Sequence, residues 1–154
     1  MAKIDKDLRG YLKRTQAGGA LLTVEKEVDP YTEAPSQLRG AVKRGKALMF
    51  RNVAGSAIPA VGNSLALRPW IETALECGDA GIVHWIGQRS AQDFSPVISP
   101  AGPLKEVIEN EVVLEQFPIL TFHEEDGGPY ITGGIGISKD RRRGVRMRAS
   151  IACD

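Results

Sequence analysis

The sequence predicts an α/β (α+β) fold, an N-terminal α/β layer that passes into a β-hairpin. Three observations predict it. Helical apolar spacing alternates with short apolar runs along the first half of the chain. Composition then shifts to proline near Ser95. Two β-like runs, the first rich in glycine, close the chain. The length of 154 residues suits one domain of ordinary size and allows a core without staples.

Asp5 to Ala17 reads as the first helix. Leu8, Tyr11, Leu12 and Thr15 fall on one face of a 3.6-residue period, which predicts that Leu8 and Leu12 are buried. Asp5 or Asp7 can cap this helix, and Gly18-Gly19 ends it. "ALLTVEKEV" alternates, with Leu22, Val24 and Val28 on one face and Thr23, Glu25 and Glu27 on the other. That pattern predicts a half-buried strand, closed by Asp29-Pro30. Thr32 to Arg44 is a second helix that buries Leu38, Ala41 and Val42, with Gly45 as its stop. "ALMF", Ala47 to Phe50, is a short apolar run between polar flanks and predicts a buried strand. "IPAVGN" predicts another strand. Pro69 opens a helix running to about Glu76, because the first helical turn has no use for that N–H.

"SPVISPAGPLKEV" carries Pro96, Pro100 and Pro103 and reads as extended. "EVVLEQFPIL" reads as strand and turn. "YITGGIGIS" and "VRMRASIA" then form two strands about the connection "KDRRRG". The second run reaches Asp154 with no turn or capping signal, which suggests a continuation.

Charge and cysteine usage exclude several function classes. Net charge is +1, so no global field draws nucleic acid or an acidic membrane. Cys77 and Cys153 make no disulfide framework and no metal spacing, the pattern of reduced thiols in a cytoplasmic protein. The N-terminus lacks the apolar core of a secretory signal. No apolar run approaches the roughly 20 residues that span a bilayer.

The candidate sites are each weighed against a plainer reading. "GGIGIS" matches neither the P-loop string nor the dinucleotide fingerprint, and no helix follows it. A strand with glycines where a backbone or flat ligand comes close is the better reading. Arg141, Arg142, Arg143, Arg146 and Arg148 could fork onto a phosphate, but a charged hairpin tip is more often solvated. Aromatic residues are 6% of the chain and none interleaves with these arginines, which argues against stacking on single-stranded nucleic acid. His123-Glu124-Glu125-Asp126 offers four metal-ligand types. Neighbours on an extended chain alternate faces, so a polar turn is preferred. His84, between Val83 and Trp85, reads as a half-buried structural histidine. No nucleophile elbow is present.

Several strings together resemble the UbiD family of prenylated-flavin-dependent decarboxylases. They are "LRGYLKR", "VEKEVDP", "LMFRNVAGS", "AVGN" and, most specifically, "LEQFPILTFHEEDGGPYITGGIGISKD". The family's full chains are several times longer. The resemblance implies an N-terminal α/β domain over residues 1–120 and the first hairpin of a split β-barrel flavin-binding domain over 121–154. In "RASIACD" it places Ser150, Ile151 and Ala152 along the cofactor and its phosphate. Arg148 stands where the family has a metal-ligating Asn, and Cys153 where it has a catalytic Arg. The resemblance therefore assigns no catalytic or metal-ligating residue to this chain.

The implied cofactor is prenylated FMN with a divalent metal, Mn or Mg. The implied reaction is non-oxidative decarboxylation of an aromatic, heteroaromatic or α,β-unsaturated carboxylic acid, with the flavin as electron sink. The implied partners are that small-molecule acid, an enzyme that supplies the prenylated flavin, and either a homo-oligomer or a larger catalytic subunit. Three readings of the short chain stay open: a truncated or frameshifted form, a small subunit completed by a partner, and a non-catalytic flavin- or partner-binding module.

Overall fold

A computed structural model describes residues 7–78, 81–92, 102, 106–140, 142 and 146–153. Among them are four α-helices and two small sheets. Helix α1, Leu8–Ala17, starts at Asp7, whose Oδ1 accepts from the Gly10 N–H at 2.7 Å. This satisfies a donor that the first helical turn leaves unpaired. Strand β1, Leu21–Val24, leads to helix α2, Glu33–Val42, and strand β2, Ala47–Phe50. Gly45 makes the turn into β2 at φ +67°, the left-handed region where a Cβ is costly. Strand β3 is Ala60–Gly62, helix α3 Arg68–Leu75 and helix α4 Gly81–Ser90.

β2 lies at the centre of the first sheet. It pairs parallel with β1, from Leu21 opposite Ala47 to Val24 opposite Phe50, and antiparallel with β3, from Leu48 opposite Gly62 to Phe50 opposite Ala60. The parallel pair requires a crossover, and α2 is that crossover. Both faces of the sheet are covered. On one, Leu48 and Phe50 pack with Ala34, Leu38 and Ala41 of α2, together with Val28 and Val53. On the other, Leu21 and Ala47 pack with Tyr11 of α1 and Trp70 of α3. Phe50, Ala34, Ala41 and Ala47 are completely enclosed.

β1 is half-buried as expected, but the buried residue is Leu21 and not Leu22. Leu21 lies under Tyr11 and Trp70, Val24 packs against the α2 cluster, and Leu22 is 43% exposed at the sheet edge. Val28 is buried as expected, through a parallel bridge to Val53 beyond the strand proper. In α1 the buried residues are Gly10, Tyr11 and Thr15, whereas Leu12 is half-buried and Leu8 is 59% exposed. Leu8 begins the helix and borders a groove with Leu65, Leu75 and Trp85 instead of the sheet. Val42, at the last turn of α2, is half-buried while Leu38 and Ala41 are enclosed.

Two further expectations change, and a third falls outside the described residues. "EVVLEQFPIL" forms no strand; Leu114–Gln116 is a short 3₁₀ turn ahead of Pro118. α4 was not foreseen, and it places His84 in solvent, 2.8 Å from the Gln88 side chain one turn on. The proline-rich segment with Pro96, Pro100 and Pro103 lies outside the described residues, as do Asp5, Arg141, Arg143 and Asp154. No helix among the described residues is long and apolar enough to cross a membrane.

The second sheet is the expected hairpin. Strand β4, Ile131–Lys139, pairs antiparallel with strand β5, Arg146–Cys153.

Candidate functional site

The hairpin register is fixed by backbone pairing alone. Lys139 opposes Arg146, Ile137 opposes Arg148, Gly136 opposes Ala149, Ile135 opposes Ser150 and Gly134 opposes Ile151. Ile131 opposes Cys153, so three steps along β4 match two along β5 and one extra residue sits at Thr132-Gly133. That is a β-bulge, a device that bends a strand and strengthens its twist. The glycines of "ITGGIGIS" thus serve a bulged strand. Glycine at 134 and 136 leaves the β4 backbone without a Cβ at two alternate positions, opposite Ile151 and Ala149.

At the foot of the hairpin lies a cleft of about 720 Å³. Its walls come from Pro30, from Ala54 to Ser56, from Leu114 to Ile119, and from Gly127 to Ile131. These segments are fastened to one another. Ser56 Oγ donates to the Gln116 carbonyl at 2.6 Å, the Thr121 N–H to the Pro30 carbonyl at 3.1 Å, and Tyr31 Oη to the Glu124 carbonyl at 3.0 Å. Leu120 packs against the Phe50 cluster and Thr121 is buried, which ties the segment before the hairpin to the sheet. Gly127 closes on the Tyr130 hydroxyl, and a Cβ there would stand 3.2 Å from it.

His123 to Asp126 forms the expected polar turn. The Asp126 N–H donates to the His123 carbonyl at 3.2 Å, and the His123 N–H returns to Asp126 Oδ2 at 3.1 Å. Asp140 similarly turns the hairpin tip by accepting from the Arg142 N–H at 2.7 Å. Among the described residues no three of His, Cys, Asp and Glu gather in a metal-holding group. Ser150, Ile151 and Ala152 occupy consecutive positions on β5, Ser150 opposite Ile135, Ile151 opposite Gly134 and Ala152 beside the bulge of β4. Sequence reasoning missed the cleft. Its only signals were the turn residues Pro30, Gly55, Pro118 and Gly127-Gly128-Pro129.

Comparison with known proteins identifies this arrangement. The family model for the 3-octaprenyl-4-hydroxybenzoate carboxy-lyase N-terminal domain matches residues 12–90. The chain belongs to the UbiD family. The model for the family's Rift-related domain matches residues 96–152, which include the cleft wall and the hairpin. Anhydromevalonate phosphate decarboxylase of Methanosarcina mazei is 36% identical over 143 residues, which are 93% of this chain and 32% of the relative. The UbiD-class enzyme HmfF of Pelotomaculum thermopropionicum, solved as an evolved dimeric form in complex with prFMN, is 32% identical. It superposes with a TM-score of 0.84 over 96% of this chain and 35% of its own. Vanillic acid decarboxylase of Sedimentibacter hydroxybenzoicus, in its open form, is 25% identical with a TM-score of 0.76, over 91% of this chain and 33% of its own. The chain spans about a third of the length of these UbiD relatives and corresponds to their N-terminal portion.

The residues present fit the two implied groups unequally. Glycine at 133, 134 and 136 is compatible with a flat ring system coming close to the β4 backbone. The metal fits less well here: Arg148, a fixed cation with no acceptor, stands where the resemblance asks for an Asn ligand, so this position offers a divalent metal nothing.

Proposed function

We propose that this chain is the N-terminal portion of a UbiD-class carboxy-lyase acting through prenylated FMN on an aromatic, heteroaromatic or α,β-unsaturated carboxylic acid. The observation that carries this reading is the TM-score of 0.84 over 96% of the chain with an HmfF structure that holds prFMN. When bound, the flavin supplies the electron sink for loss of CO₂. The chain's own part is to position. Ser150, Ile151 and Ala152 present the β5 backbone to the cofactor, and the β4 glycines let that face come close. The α/β layer holds the hairpin through the fastened segment ending at Leu120 and Thr121. On this reading the layer runs through residues 1–120, and residues 121–154 open the split barrel. No group of this chain is assigned the proton transfer to product.

The departures at Arg148 and Cys153 favour a second reading, a non-catalytic flavin- or partner-binding module. Purification from cells that also carry a prenylated-flavin-supplying enzyme separates bound flavin from none. Flavin absorbance that stays with the chain through gel filtration supports cofactor binding by this portion. In either case the isolated chain, given prenylated FMN and Mn²⁺, is expected to release no CO₂ from cinnamic, hydroxybenzoic or furoic acid. Release above a no-protein blank, retained after repurification, would overturn that expectation.

A further inference from the structure

The cleft at the foot of the hairpin presents apolar side chains to solvent along its rim. Leu114 is 60% exposed, and Phe117 and Ile131 are each 46% exposed. The same stretch also exposes Val107, Ile108, Val112, Val113 and Phe122. Apolar side chains exposed along a cleft are the kind of surface that a partner covers. The wall is preformed, because the Ser56–Gln116 and Thr121–Pro30 hydrogen bonds hold its two sides. Glu115 is the one charged residue among those lining the cleft. An uncharged apolar occupant suits such a wall, and the carboxylate of an acid substrate does not, since it would meet Glu115.

We propose that this cleft is the docking face for the polypeptide that makes up the other two-thirds of a UbiD chain, supplied either in the same chain or as a separate subunit. The proposal rests on reading this chain as the N-terminal portion of such an enzyme. Two facts select this occupant over a small ligand or a second copy. The relatives superpose over nearly all of this chain and carry about twice its length besides. The cleft also adjoins Ile131, where β4 begins, so whatever completes the hairpin's sheet passes beside it.

The test compares one double substitution, Leu114→Glu with Phe117→Glu, in two settings. One is the 154-residue chain. The other is that chain joined to the remaining two-thirds of HmfF, with a parallel hybrid to the Methanosarcina mazei relative. Exposed side chains tolerate the change in the chain alone, so its urea midpoint is expected to stay put. In the hybrids the same charges enter a covered face, and the midpoint is expected to fall. Equal midpoints in the substituted and unsubstituted hybrids would overturn the proposal, as would a fall in the isolated chain. Failure of both unsubstituted hybrids to unfold cooperatively would overturn it too. Sedimentation of the isolated chain checks the rival occupant: a dimer abolished by the substitutions assigns the cleft to a second copy. Flavin absorbance of the unsubstituted hybrids judges the functional reading separately, because it does not depend on how the cleft is filled.

Discussion

The α/β layer and the hairpin are both β-structure with correct register, yet they are held in different ways. In the layer, β2 is paired on both edges and covered on both faces, by α2 on one side and by Tyr11 and Trp70 on the other. In the hairpin, among the described residues, β4 pairs with β5 alone, and Ile131 and Ile137 stand 46% and 71% exposed. A two-stranded ribbon is marginal in water, and its unpaired edges invite further strands. Local backbone pairing is therefore enough to set register, while burial on two faces is what sets stability. The layer is a finished core. The hairpin is a prepared surface.

Substitutions can sharpen that contrast or break it. Phe50 is fully enclosed, so Phe50→Ala should cost about 3–5 kcal/mol in urea unfolding of the chain. A change of less than about 1 kcal/mol would show a core far looser than its packing implies. Gly62 sits on β3 directly against α2, and a Cβ there would stand 2.4 Å from Leu38 Cδ2 and 3.0 Å from its Cγ. Leu38 is 2% exposed and has nowhere to swing, so Gly62→Ala should cost about 1–3 kcal/mol. Tyr11→Phe removes the hydroxyl that donates to the Ser64 carbonyl and should cost about 1 kcal/mol by the same assay. Ile137→Ala in the hairpin should change the midpoint by less than about 0.5 kcal/mol. A larger loss would mean that β4 already has a cover.

Much of this contrast was legible in the residues. "ALMF" is β2 to the residue, because a short apolar run between polar flanks has one good use in a layered fold. The hairpin followed from two β-like runs about "KDRRRG", and α1 and α2 from their apolar spacing. In β1 the faces were misjudged: Leu21, packed with Tyr11 and Trp70, is the buried residue, while Leu22 on the edge strand is 43% exposed. α4 was missed for a different reason. Ile82, Trp85 and Ile86 do fall on one face with His84 and Gln88 opposite, but the run is short and flanked by glycines, and none of its residues is buried. His84 was placed with its apolar neighbours and lies instead in solvent. The cleft was illegible because four distant segments meet to form it. The family resemblance, by contrast, rested on strings spread along the whole chain, and both family models follow them.

Residue-level hydrogen exchange on a sample shown to be monomeric tests the contrast most directly. The amides of Leu48 and Phe50 should exchange only through global unfolding. Those of Ile135 and Ile137, in a ribbon without cover, should exchange through local opening and far faster. Equal protection of the two sets in the monomer would contradict the account, because the hairpin would then be stable by itself and would need nothing to complete it.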